Sequence, residues 1–177
     1  KGGHAAVPEL LQSFVVMVEQ GMVLDALAGM QPNHAVQARV FASLWQGKQG
    51  RGSPVQNKVA DAVAKGLGAD AATGRTSLEN LIACYSRGVT RLPEALQAAP
   101  HLLEHYILNE MFYDLFPFHA ALTPFEHYLR LISRFGLLRM MIAAQCNTDD
   151  ALPDAGALVQ TVQVFCRRFQ HDVVFAS

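Results

Sequence analysis

An all-α fold, a compact bundle of about six to seven helices joined by short loops, follows from three features of the sequence. Apolar residues recur at three- and four-residue spacing through most of the chain. Prolines, glycines and capping residues punctuate those runs at helix-like intervals. No stretch alternates as a strand would, and no internal repeat stands out.

The elements follow in order. Pro8 suits a first helical turn and opens a helix to about residue 29, with Leu10, Leu11, Phe14, Val18 and Leu24 as its apolar positions and Gly21 as a point of weakness. Pro32 breaks the chain, and Asn33 caps a helix over residues 34 to about 46. The basic, glycine-rich run at residues 47–53 reads as a solvated loop, since its glycine spacing matches no phosphate-binding pattern. Pro54 starts a third helix to about residue 67. Thr76-Ser77-Leu78-Glu79 has the form of a capping box and predicts a helix to about Arg87, with Gly88 and Pro93 forming a turn. A short helix is expected over residues 94–98. Pro100 then opens a strongly apolar helix to about Phe116, stopped by Pro117. Thr123-Pro124-Phe125-Glu126 is a capping box with proline at the first helical position, predicting a helix to about Gln145. A polar turn at residues 147–154 precedes a last helix to about residue 174.

The composition limits the functional classes. Hydrophobic residues make up 51% of the chain and charged residues 16%, so disorder is excluded and several helices should be buried on most sides. With 14 basic and 15 acidic residues, nothing attracts nucleic acid or an anionic membrane. The longest apolar runs are too short to span a bilayer, and a cytoplasmic location is the default expectation. Residues 1–5, beginning Lys1-Gly2-Gly3, read as linker or leftover residues of an excised piece, and residues 6–177 as a single helical domain. Cys84, Cys146 and Cys166 are too scattered for a zinc site or a cluster and read as reduced, mostly buried thiols.

Two constellations could carry chemistry. His101-Leu102-Leu103-Glu104-His105 matches an inverted zinc-peptidase motif, in which His101 and His105 share a metal and Glu104 acts as base. No third ligand is identifiable, so the two histidines are weak metal candidates. The second constellation is a charge problem. Glu110 and Asp114 project beside Leu103 and Ile107 on a helix that has no clean polar face, and buried carboxylates need partners. On the next helix, Phe125, Leu129, Ile132, Gly136 and Ala143 share a side with Arg139, while Glu126, Arg130 and Arg134 occupy the opposite, polar side. Arg139 is therefore expected to pair with Glu110 or Glu104, as a structural ion pair or as part of a substrate pocket, and Gly136 to allow a close helix approach. Tyr106, Tyr113, Tyr128 and the phenylalanines at 112, 116, 118, 125 and 135 form an aromatic group that is core if buried and an interaction surface if exposed.

The run Leu103-Glu104-His105-Tyr106-Ile107-Leu108-Asn109-Glu110-Met111-Phe112, closing on Leu115-Phe116-Pro117-Phe118, resembles a segment of the flagellin lysine-N-methylases. Phe125-Glu126-His127-Tyr128-Leu129, continuing to Phe135-Gly136-Leu137-Leu138-Arg139, resembles the segment that follows in that family. The match covers residues 100 to 145 well. The resemblance implies the C-terminal part of an enzyme that methylates flagellin lysines before export, using S-adenosylmethionine and a cysteine-bound iron–sulfur cluster. The family's clustered N-terminal cysteines are absent here, so neither cofactor is expected to be held by this part, and no catalytic residue is assigned. The expected partners are flagellin and an N-terminal catalytic domain. Glu104, Asn109, Glu110, Tyr128 and Arg139 are the polar candidates for substrate contact or structural pairing. The competing readings are a stand-alone helical ligand-binding or scaffold domain and a zinc hydrolase.

Overall fold

A computed structural model of the chain describes residues 7–46, 52–118, 123–148 and 151–170. Among these residues there are eight α-helices and no strand. The loop expected at residues 47–53 lies outside the described residues apart from Gly52 and Ser53, as does the end of the last expected helix beyond residue 170.

The chain divides into two compact units, residues 1–33 and 34–177. In the first, α1 (Val7–Glu19) and α2 (Met22–Ala28) replace the single expected helix. Gly21 separates them with φ +73, a left-handed conformation that glycine adopts without steric cost, and the helices bend by 68° there. No single helix among the described residues is long and apolar enough to cross a membrane, although this bent pair passes by length and composition.

The second unit is built around α7 (Pro124–Gln145). Against it pack α3 (His34–Gln46), α4 (Pro54–Gly66), α5 (Leu78–Ala95), α6 (Leu102–Tyr113) and α8 (Ala155–Phe165), the last followed by a π-helical turn, Cys166–Gln170. The capping box at Thr123 forms as the sequence indicates: its hydroxyl accepts from the Glu126 amide at 3.2 Å, and the Glu126 carboxylate accepts from the Thr123 amide at 2.8 Å. A second box opens α4, between Ser53 and Gln56.

Two expectations fail locally. The cap of α5 is Ser77, which accepts from the Asn80 amide at 3.1 Å, one residue later than expected. Thr76 is drawn away because its Oγ1 accepts from the Asn80 side chain. Furthermore, α5 does not end at Arg87 but continues through Gly88 and Pro93, and only a short 3₁₀ turn, Leu96–Ala98, follows. The reason is packing. A Cβ on Gly88 would lie 2.1 Å from the Ala143 carbonyl oxygen, so this glycine lets α5 lie against the α7 backbone rather than terminating a helix. Gly66 does the same for α4, at 1.9 Å from the Ala144 carbonyl oxygen. Proline near a helix end forfeits one hydrogen bond, a cost that contact along α7 offsets.

Candidate functional site

The polar chemistry of the molecule concentrates between α6 and the first half of α7. Glu110 and Asp114, one turn apart on α6, do meet cations, but from the side of α7 expected to face solvent. Arg134 Nη1 donates to Glu110 at 2.8 Å and to Asp114 at 3.2 Å, and Arg130 Nη2 donates to Asp114 at 2.6 Å. His127 Nε2 lies 3.9 Å from the same Asp114 oxygen. The side chains of Arg134 and Glu110 are only 4% and 3% exposed. Such a pair is costly to separate, because either partner left behind is a desolvated charge.

Arg139 is not the partner of Glu110 or Glu104. Its Nη1 donates instead to the Tyr85 hydroxyl at 3.3 Å, and that hydroxyl donates to Gln37 at 3.1 Å, tying α7 to α5 and α3. The helical phase on which the pairing was expected holds, but over the first half of α7 its outward direction is reversed, while Gly136 and Ala143 farther along the same side are buried. α6 covers the face bearing Arg130 and Arg134, whereas α3 covers Gly136, where an added Cβ would fall 2.0 Å from the Phe41 ring.

The reversal leaves apolar residues outside. Phe125, Tyr128, Leu129 and Ile132, spaced as one helical face, are all exposed on α7. On α6 and just beyond it, Leu108, Phe112, Tyr113, Leu115 and Phe118 are exposed as well, Phe112 at 78% and Phe118 at 83%. Of the expected aromatic group, Tyr106 is core, packed edge-on to Phe165 with ring centroids 5.7 Å apart. Burial first, then the charge of Glu110, pushes the Tyr106 hydroxyl far above its ordinary range. The remaining sequence candidates, Glu104 and Asn109, are exposed on α6.

The zinc-peptidase reading finds no further ligand. His101 is on the surface, its Nδ1 3.3 Å from Glu104, and its ring stacks on His105 with centroids 5.5 Å apart. Among the described residues no group of three histidines, cysteines or carboxylates could hold a metal ion. The cysteines do not fit an iron–sulfur cluster either. Cys84 is buried on α5 and Cys146 at the end of α7, whereas Cys166 follows α8 and is only partly buried. Burial pushes the Cys146 thiol up to about 11, and burial followed by the charge of Glu110 raises that of Cys166.

These features define a helical domain with an ion-clamped pair of helices that displays aromatic side chains, and without a cluster-binding cysteine set among the described residues. The family model of the FliB lysine N-methylase C-terminal domain matches residues 1–177, and the chain belongs to that family. No curated protein and no solved structure matches it.

Proposed function

We propose that this domain recognises flagellin for a lysine N-methylase, docking it on the α6–α7 surface while supporting the catalytic half of the enzyme. One observation carries the reading. Phe112, Phe125 and Tyr128 are displayed to solvent from helices fixed to each other by buried charges, and Phe118 is displayed from the segment that follows α6. Large aromatic side chains on a rigid support lose little conformational entropy on binding and serve as anchors at interfaces. Methyl transfer itself belongs, in this proposal, to the half that binds S-adenosylmethionine and the iron–sulfur cluster, within the cytoplasm and before flagellin is exported. No residue described here takes a chemical step in that transfer.

Calorimetric titration of the chain with monomeric flagellin tests the proposal. Saturable binding is expected, weakened roughly tenfold or more by the double substitution Phe125→Ser with Phe112→Ser, as for truncated interface anchors. Absence of binding, or binding indifferent to both substitutions, removes the docking role from this surface.

A further inference from the structure

Two histidines at the start of α6 take no part in the aromatic face. His101 is the cap residue of α6, and His105 stands one turn on, its amide donating to the His101 carbonyl at 2.8 Å. Residues so spaced project from one side of a helix. Their rings lie 5.5 Å apart between centroids, and both residues are exposed.

Three features of this pair suit a metal ion. The first is spacing. Two imidazoles that share one tetrahedral ion at about 2.1 Å per nitrogen have ring centroids about 5 Å apart, close to the separation found. The second is the tautomer of His101. An ionised carboxylate only accepts, so the His101 Nδ1, 3.3 Å from Glu104, carries the proton and donates it to that bond. In the neutral ring the lone pair is then on Nε2, and a carboxylate behind the other nitrogen is the usual outer partner of a ligating histidine. The third is access, since an ion reaches exposed rings directly from solvent.

The two rings are nearly parallel, at 22°, so one of them must turn for both nitrogens to meet an ion. The terminal torsion of histidine is broad, and an exposed ring turns about it without moving the backbone.

We infer that His101 and His105 form a two-point chelate for a late first-row divalent ion such as zinc, with Glu104 orienting His101 and water filling the remaining positions. Imidazole nitrogen selects such ions over magnesium and calcium, which prefer oxygen. The charge of Glu104 also offsets the repulsion between a cation and the N-terminal end of the helix dipole. This is a binding site and not the peptidase centre, because Glu104 is engaged with His101 rather than placed as a base. It does not depend on flagellin docking, as neither histidine belongs to the aromatic face.

Zinc chloride is titrated into the chain without flagellin, with heat followed by calorimetry and the imidazole resonances by NMR. One equivalent is expected, with the resonances of His101 and His105 moving and magnesium chloride inert. His101→Gln and His105→Gln should each weaken binding about tenfold or more, and the double variant little further, because a chelate is lost with either arm. Glu104→Gln should weaken zinc about tenfold without changing the stoichiometry. All three side chains are exposed, so the metal-free variants should keep the circular dichroism and thermal midpoint of the parent. Copper should bind the same residues more tightly than zinc. The inference is overturned if zinc gives no saturable response, if magnesium competes, or if the two single losses add as for separate ligands. Zinc taken by the thiols instead would leave both histidine variants binding like the parent, and that overturns it too.

Discussion

The two halves of α7 are about equally rich in large apolar side chains and meet opposite environments. From Leu137 to Cys146 nearly every side chain is buried except that of Arg139, because α3, α4, α5 and α8 enclose that half. In the first half Phe125, Tyr128, Leu129 and Ile132 are exposed, and it is the arginines and His127 that turn inward, against α6. One half is held by dispersion and area removed from water, the other by a few charges that cannot be left unpaired. The exposed half thereby leaves Phe125 and Tyr128 facing solvent.

The largest effect should come from the enclosed half, where helices approach backbone to backbone. Gly88→Val places a side chain against the Ala143 carbonyl, and Gly66→Val does so against Ala144. Neither carbonyl can move without displacing α7, so each substitution should cost more than about 3 kcal/mol, beyond ordinary overpacking. Gly136→Ala meets only the Phe41 ring, a side chain able to rotate, and should cost distinctly less than Gly88→Ala. Urea unfolding monitored by circular dichroism ranks them. Equal losses for Gly88→Ala and Gly136→Ala would show that α5 does not press on the α7 backbone.

Next in size is the clamp. Arg134→Ala leaves Glu110 buried without its guanidinium, and the expected loss is roughly 3 kcal/mol, in the range for breaking a buried pair. Pairing the same substitution with Glu110→Gln should recover part of it. If the double variant is no more stable than the single one, the cost lies in packing and not in the stranded charge.

How much of this was legible from sequence depended on which force decided each element. Local backbone chemistry was readable: the Thr123 capping box and Pro54 are effects of neighbours in the chain, and Gly21 was legible as a weak point, though not as the place where one expected helix becomes two. The cap at Ser53 was equally local and was missed, although Ser53 with Gln56 three residues later carries the signal. The path of α5 through Gly88 and Pro93 was not readable, because a glycine that ends a helix and one that admits a neighbouring backbone look alike in one sequence. The same limit reversed the faces of α7. Periodicity gave which residues share a side, including Arg130 with Arg134. Only the position of α6 determines that this side is inside. The need of Glu110 and Asp114 for a cation was correctly indicated by an apolar helix without a polar face; which arginine meets them is a tertiary fact.

A smaller effect should appear with pH. Burial raises the Cys146 thiol to about 11, above its ordinary value near 9. The folded state therefore holds this proton where the unfolded chain releases it, so the contribution is intact below pH 9 and is lost as pH rises toward 11. Thermal midpoints should fall over that interval, and Cys146→Ala should shallow the decline. Cys166 and Tyr106, raised in the same direction, should leave a residual slope.

The smallest effect on stability is expected where the display of aromatic residues is greatest. Phe125 is 67% exposed, so Phe125→Ser removes little buried area and should change unfolding free energy by less than about 0.5 kcal/mol. Met141→Ala, sixteen residues along the same helix and fully buried, should cost about 2–5 kcal/mol. The pair tests the division of α7 directly, in one apparatus and without a partner. A large loss for Phe125→Ser would mean that this ring is packed in solution, and the first half of α7 would then be core like the second. Flagellin would have no free aromatic surface there to meet. A silent Phe125→Ser leaves an exposed ring whose retention the fold does not explain, which is the condition a docking residue must satisfy.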